Sequence, residues 1–271
     1  MIERGRLAYL ATLGIMVLMS PAYDAIAWVY RRFWGPFSVQ RFMPVLERWL
    51  LPRLPQGAAI LDLGCGTGNL ARALWARGYR VMGLDISARM LREARVVAPE
   101  VLFVQGDMRS FRFPGAFQAA IALFATINHI VDPADLPRVL RNVKESLVKG
   151  GWFLLDFNTP AGLRARWQGV EAVVEDDLVV ISRGQYDEHA KIATSTITAF
   201  RPQGGLWVRR DATITLRGYD EDAMRTALRA TGFEVVAMHR QTGKAGQGRV
   251  LVLARRPGAV EAGIAAAAAP L

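Results

Sequence analysis

The sequence holds a single cysteine, Cys65, in 271 residues. One thiol cannot form an internal disulfide, so the chain must fold on its apolar core, and a reducing compartment, the cytoplasm, is expected. Histidine is almost as scarce. His129, His189 and His239 lack the spacing of metal ligands, and no metal is expected. Lysine occurs only at positions 144, 149, 191 and 244, so nearly all the positive charge is arginine. A net charge of +10 would suit nucleic acid or an anionic membrane, but the basic residues come in ones and twos, not in a run. A compositionally biased genome explains such Arg- and Ala-rich usage more simply, and no nucleic-acid partner is expected. Long apolar runs are missing as well: Leu7 to Met19 falls short of the ~20 residues that span a bilayer.

What is present is a globular composition, 52% hydrophobic and 21% charged. Residues 1–20 read as an over-extended translational start, with a membrane-associating leader as the alternative. Residues 257–271, ending in IAAAAAPL, are of low complexity and expected to be disordered. Between them, residues 21–169 and 218–256 form the expected core. From Ala58 apolar runs alternate with helical patterns: AAILDL, NLARALWARG, YRVMGLD, a helix from Ser87, VLFVQGD, AAIALF, a helix to Leu147, and WFLLDF. That alternation predicts an α/β fold, a doubly wound and mostly parallel seven-stranded Rossmann-like sheet. Residues 170–217 break it. Their β-rich runs and period-2 stretches, as in KIATSTIT, predict an antiparallel β insertion that acts as a lid over a substrate pocket.

ILDLGCGTGNL is the most specific signal. Asp62 ends an apolar strand, and Gly64, Gly66 and Gly68 open a helix. Glycines belong where the backbone takes positive φ or a ligand lies against it. A dinucleotide loop would need its third glycine at Asn69, so the nicotinamide reading fails there. Asp85 ends the second strand, roughly 20 residues on, where an acid can accept both hydroxyls of a ribose. Asp107 ends the third, where a carboxylate can accept from an exocyclic amine with Met108 on the purine.

These segments, with QGDMRSF, FATINHI, LVKGGWFLLDFNTP and the closing FEVVAMH/RVLVLAR pair, resemble a class I S-adenosylmethionine-dependent methyltransferase of small-molecule type. Glycine N-methyltransferase-like enzymes and bacterial amino-sugar N,N-dimethyltransferases are the most similar groups. The resemblance implies S-adenosyl-L-methionine as cofactor, with Gly64 and Gly66 along its methionine and ribose. It places Asp85 on the ribose, Ile86 on the adenine, Asp107 on the adenine amine with Met108 beside the ring, and Leu123 at the end of the fourth strand. Tyr23, in AYDAIA, would close over the sulfonium, and Arg41 would pair with the methionine carboxylate. Cys65 lies inside the loop and reads as packing.

Methyl transfer from a sulfonium is an in-line displacement, so the protein mainly aligns partners and excludes water. FATIN lacks the Pro-Pro-aromatic that follows the acceptor-side Asn or Asp in nucleobase amino-methyltransferases. His129 is the catalytic candidate, an imidazole near pKa 6.5 that can take a proton from an amine or hydroxyl; the alternative is a buried histidine bonded to backbone. Asn128 is expected to orient backbone, and Asn158 is a weaker pocket candidate. Trp28, Tyr30, Phe33 and Trp34 are expected to pack the N-terminal helix, some of them roofing the pocket. The partner expected is a small-molecule acceptor, with no stable membrane span and a homodimer left open. The alternatives are a protein acting on nucleic acid, suggested by charge alone, and a membrane-associated quinone or lipid methyltransferase.

Overall fold

A computed structural model describes residues 22–242 and 246–258. Seven strands form the main sheet: β1 (Ala59–Leu63), β2 (Arg80–Asp85), β3 (Leu102–Gln105), β4 (Phe117–Ala122), β5 (Leu147–Asn158), β10 (Glu234–Arg240) and β11 (Arg249–Arg255). Their order is β10-β11-β5-β4-β1-β2-β3. β1 to β5 run parallel and β11 runs antiparallel to both its neighbours. The expected doubly wound sheet is therefore present. Ile60, Leu61, Ala119, Ala120, Ile121, Phe153 and Leu154 are completely buried, as central strands covered on both faces must be.

A short 3₁₀ segment at Ala22–Ile26 leads into α1 (Ala27–Arg32) and α2 (Trp34–Trp49). The crossover helices are α3 (Asn69–Trp75), α4 (Ala88–Val97), α5 (Leu136–Ser146) and α7 (Glu221–Ala230), with the short α6 (Pro160–Arg166) leaving β5. Their caps are as the side chains dictate: Ser87 accepts from the Met90 amide at 3.0 Å, and Thr159 accepts from the Gly162 amide at 3.2 Å. Chain order reverses between β1 and β4, and that switch point leaves a crevice at the carboxyl ends of the strands.

The second sheet is antiparallel, in the order β6 (Gly169–Glu175), β7 (Leu178–Asp187), β8 (Ile192–Gln203), β9 (Leu206–Arg217). The single run EAVVEDDLVVISRGQYD is in fact a hairpin that turns at Asp176 and Asp177. Lys149-Gly150-Gly151 lies inside β5. β5 runs through it as a bulge, with Gly150 at φ 80°, and the β4 register shifts there. The insertion is tied down by its own core, in which Ile26 and Val29 of the N-terminal segment meet Leu163, Ala193, Ile197, Ile214 and Leu216. One segment thus seats both on the lid and over the crevice.

Candidate active site

The glycine loop is built by backbone contacts. The amides of Gly64 and Cys65 both donate to the Leu84 carbonyl, at 2.8 and 3.1 Å. Gly64 and Gly66 have φ of 63° and 54°, a region closed to most side chains. A Cβ on Gly64 would also lie 2.7 Å from Thr126, so the loop packs directly under the turn that follows β4. Asp85 holds the same loop from the other side. One of its carboxylate oxygens accepts from the Gly66 amide at 2.9 Å, the other from Ser87 at 2.8 Å. A carboxylate has about four lone-pair sites, so Asp85 keeps capacity for a ligand. Burial raises its pKa against the effect of those bonds. Asp62 is 3% exposed and its Oδ2 has no hydrogen-bond partner. Burial, then the charge of Asp85, pushes its pKa up to about 8. Cys65 is buried, and burial raises its thiol well above its usual range, in keeping with a packing role.

The other residues singled out in the sequence fall around the same strand ends. Ile86 is 49% exposed beside Asp85. Met108 is partly buried, and its carbonyl accepts from Asn142. Leu123 is buried one residue beyond β4. Asp107 has company that its position alone did not reveal. Its carboxylate is bonded by the Arg109 guanidinium at 2.6 Å and by the Arg109 amide at 2.8 Å. Burial opposes ionisation of Asp107, but Arg109 outweighs it and holds the pKa below the usual carboxylate value.

The turn after β4 carries the acceptor side. Phe124 and Ala125 are both left-handed, at φ 64° and 66°, unusual for residues with a Cβ. The Ala125 amide donates to buried Asp156 at 3.0 Å, which holds this strained turn. A 3₁₀ turn at Thr126–His129 follows. Asn128 is completely buried and works on backbone, as expected: its amide bonds the carbonyls of Asn158 and Arg217, and its oxygen accepts from the Asn158 amide. His129 Nε2 lies 3.1 Å from the Tyr23 hydroxyl, with the rings edge to face at 5.4 Å. Burial lowers the His129 pKa to about 4, so the imidazole is a weaker base than the value of 6.5 expected from sequence. Burial also raises the Tyr23 phenol, aided by Asp85.

A cavity of about 260 Å³ opens against His129, between the turn, the N-terminal aromatics and the lid strands. Tyr23, Tyr30, Trp34 and Phe124 line one side; Trp28 and Phe33 pack into the lid core instead. Three groups at the cavity went unremarked in the sequence: Arg166 and Arg249, which line it, and Asp156, buried behind Arg249. Asp156 was detectable as an acid inside the apolar strand WFLLDF, since a fully buried charge needs a partner. That partner is Arg249, which hydrogen-bonds Asp156 in the core. The arginines carried no signal among so many others.

A methyltransferase domain model matches residues 60–151. The chain is 41% identical over 158 residues to 2-phytyl-1,4-naphtoquinone methyltransferase of Thermosynechococcus vestitus, covering 54% of this chain and 67% of that protein. The chain belongs to the S-adenosylmethionine-dependent methyltransferases. S-adenosylmethionine is accordingly the cofactor of this methyltransferase. It is also 28% identical over 129 residues to a dTDP-3-amino-3,4,6-trideoxy-alpha-D-glucopyranose N,N-dimethyltransferase of Streptomyces venezuelae, covering 47% of this chain and 54% of the relative. The methyltransferase thus spans only about half to two thirds of these relatives' lengths. In fold it is similar to the CcbJ methyltransferase of Streptomyces caelestis, with TM-score 0.71, 22% identity and coverage of 88% of this chain and 99% of that one. It is likewise similar to CalS10, an amino pentose methyltransferase of Micromonospora echinaspora, with TM-score 0.65, 23% identity and coverage of 85% and 95%. No helix among the described residues is long and apolar enough to cross a membrane; Leu7 to Met19 lies outside them. Among the described residues no group of acids, histidines or cysteines is arranged to hold a metal.

Proposed function

We propose that the protein methylates an amine of a small molecule bound in the cavity beside His129. The observation that carries this reading is the Tyr23–His129 pair, which lines the cavity together with Tyr30, Trp34 and Phe124. When bound, S-adenosylmethionine supplies a methyl group on a sulfonium, which leaves without further activation. The residues present suit that group. The unpartnered Oδ2 of buried Asp62 suits the cofactor's ammonium, and the unpartnered Nε of Arg41 suits its carboxylate. The open lone pairs of Asp85 suit the ribose hydroxyls; Ile86 and Met108 would lie beside the base, Gly64 and Gly66 along the methionine portion and ribose, and Leu123 follows at the end of β4. Asp107 would accept from the adenine amine while sharing its oxygens with Arg109.

On the acceptor side, Tyr23 and His129 align a proton-bearing nitrogen. Burial keeps His129 neutral at neutral pH, and in the tautomer without a hydrogen on Nε2 that atom accepts a proton, directly or through the Tyr23 hydroxyl it is bonded to. The aromatic wall excludes water and lowers the cost of bringing the acceptor in neutral. The amino-sugar relative supports an amine; the naphthoquinone relative, together with four rings on the cavity wall, favours a second reading, methylation of an aromatic ring or its hydroxyl. Incubation with S-adenosylmethionine and paired panels of amines and phenols, read by mass spectrometry, tests both. Formation of S-adenosylhomocysteine with amines alone supports the first, and formation with phenols or quinols alone replaces it by the second. Failure to bind the cofactor would end both.

A further inference from the structure

Asp107 is held more firmly than a strand-end carboxylate requires. It lies just beyond β3, and three N–H groups of Arg109 converge on it. The Arg109 amide donates to Oδ1 at 2.8 Å, Nη2 donates to Oδ2 at 2.6 Å, and Nε lies between the two oxygens at 3.0 and 2.9 Å. Backbone and side chain of one residue thus fix both the position and the plane of the carboxylate. Arg109 is itself held from its far side. Its Nη1 lies 3.4 Å from Asp135, which also accepts from Arg138, so acid and base alternate from Asp107 to Arg138.

Stability does not account for this fork. The Arg109 and Asp107 side chains are 47% and 26% exposed, and ion pairs open to water add little to a fold. What the fork changes is the chemistry of the acid. A carboxylate offers about four lone-pair sites, and the amide, Nε and Nη2 of Arg109 take up all but one. Burial opposes ionisation of Asp107, but the Arg109 bonds hold its pKa below the usual value, so the remaining site only accepts. The neighbouring backbone is fixed as well. Asn142 donates to the Met108 carbonyl at 3.2 Å, and Gln105 donates to the Ile86 carbonyl at 3.1 Å. A single acceptor site of fixed direction fits one N–H of an exocyclic amine. A base with a carbonyl oxygen in that place would meet the carboxylate with no proton between them.

We infer that Arg109 is a positioning residue that sets the base selectivity of the cofactor site: by fixing Asp107 as an acceptor, it admits a 6-amino purine and rejects a 6-oxo purine. The inference rests on the proposed seat of the adenine at Asp107 and goes beyond it, because it assigns the choice of base to a residue that acts through that acid. Without the guanidinium the carboxylate can turn, and it can take up a proton and donate to a carbonyl oxygen. Lysine would keep the charge but not the planar fork, so it replaces Arg109 only in part.

The test titrates the full chain by calorimetry with S-adenosylhomocysteine and with its 6-oxo counterpart, S-inosylhomocysteine. The wild type should prefer the adenosyl compound by about 10- to 100-fold, as loss of a hydrogen bond to a charged group implies. Arg109→Gln should reduce that preference to about threefold or less, chiefly by weakening the adenosyl compound, and Arg109→Lys should restore part of it. Asp107→Asn should abolish or reverse the preference, because an amide can donate to the 6-oxo group. Thermal unfolding near the wild-type midpoint certifies that the variants are folded; should Arg109→Gln unfold, a reduced preference in Arg109→Lys carries the test. An Arg109→Gln variant that weakens both compounds equally would leave Arg109 a structural residue. One that binds the adenosyl compound more tightly would make Arg109 its competitor. Either result overturns the inference alone. An Asp107→Asn variant with the full wild-type preference, or a wild type with none, would overturn the seat of the adenine at Asp107 and this inference with it. A wild type that binds neither compound would overturn the methyltransferase reading itself.

Discussion

The hydroxyl of Tyr23 and Nε2 of His129, separated by 106 positions in sequence, meet at 3.1 Å on the wall of the cavity. The contact joins the N-terminal segment, which also holds the lid, to the turn that ends β4. His129→Ala should lower kcat by about 10²–10⁴-fold while leaving cofactor affinity near wild type. Tyr23→Phe keeps the ring and removes the bond, so its loss should be smaller. The double variant should lose less than the product of the two single losses, because each change already breaks the shared contact. Steady-state kinetics on all four proteins checks this; full additivity would mean the two groups act separately.

The pH dependence of stability follows from the His129 shift. Its folded pKa of about 4 lies below the unfolded value of 6.5, so the unfolded chain binds the proton first as pH falls. Full stability from this group is present above 6.5 and is lost as pH drops toward 4, by on the order of 3 kcal/mol. Asp62 has the opposite sign, because its raised pKa favours the folded state at low pH. A comparison with His129→Gln isolates the histidine: the wild type should gain stability relative to the variant between pH 4 and 6.5, and the difference should then level off. Urea unfolding across that range is the measurement, and a flat difference would remove the buried, neutral imidazole.

What the sequence disclosed of this site was whatever its local spacing forces. Gly64, Gly66, Asp62, Asp85 and Asp107 each sit where a strand ends, and strand ends are legible from apolar runs and glycines. The place of His129 was legible for the same reason. Its basicity was not, because it is set by burial, and β9 and Tyr23, which pack against its turn, are distant in sequence. The Asp156–Arg249 pair joins positions on two antiparallel strands, and only the register of β5 on β11 brings them close. The hairpin at Asp176–Asp177 was hidden because two acids turn the chain there without a glycine or proline.

Asp156 supports both the strained turn and Arg249, so its removal should be costly. Asp156→Ala strands Arg249 as an unpaired buried cation and frees the Ala125 amide, at a cost of about 3–5 kcal/mol. Ala125→Gly tests the turn alone. At φ 66° a glycine carries no Cβ penalty, so this change should leave stability unchanged or raise it by about 1 kcal/mol. Chemical denaturation separates the two effects. A clear loss in Ala125→Gly would show that the Ala125 methyl packs more than the turn strains.

Asp62 should couple cofactor binding to proton release. In the cofactor-free protein its pKa of about 8 leaves it mostly protonated at pH 7. The proposed arrival of the cofactor's ammonium favours the charged carboxylate, so binding below pH 8 must expel a proton. Affinity for S-adenosylmethionine should therefore rise with pH up to about 8 and then flatten. Calorimetry at pH 7 in buffers of different ionisation enthalpy should show close to one proton released per cofactor. Asp62→Asn is uncharged at every pH, so it should bind more weakly and release none. Equal proton release from Asp62→Asn and the wild type would move the coupling to another group, with Asp85 the next to examine.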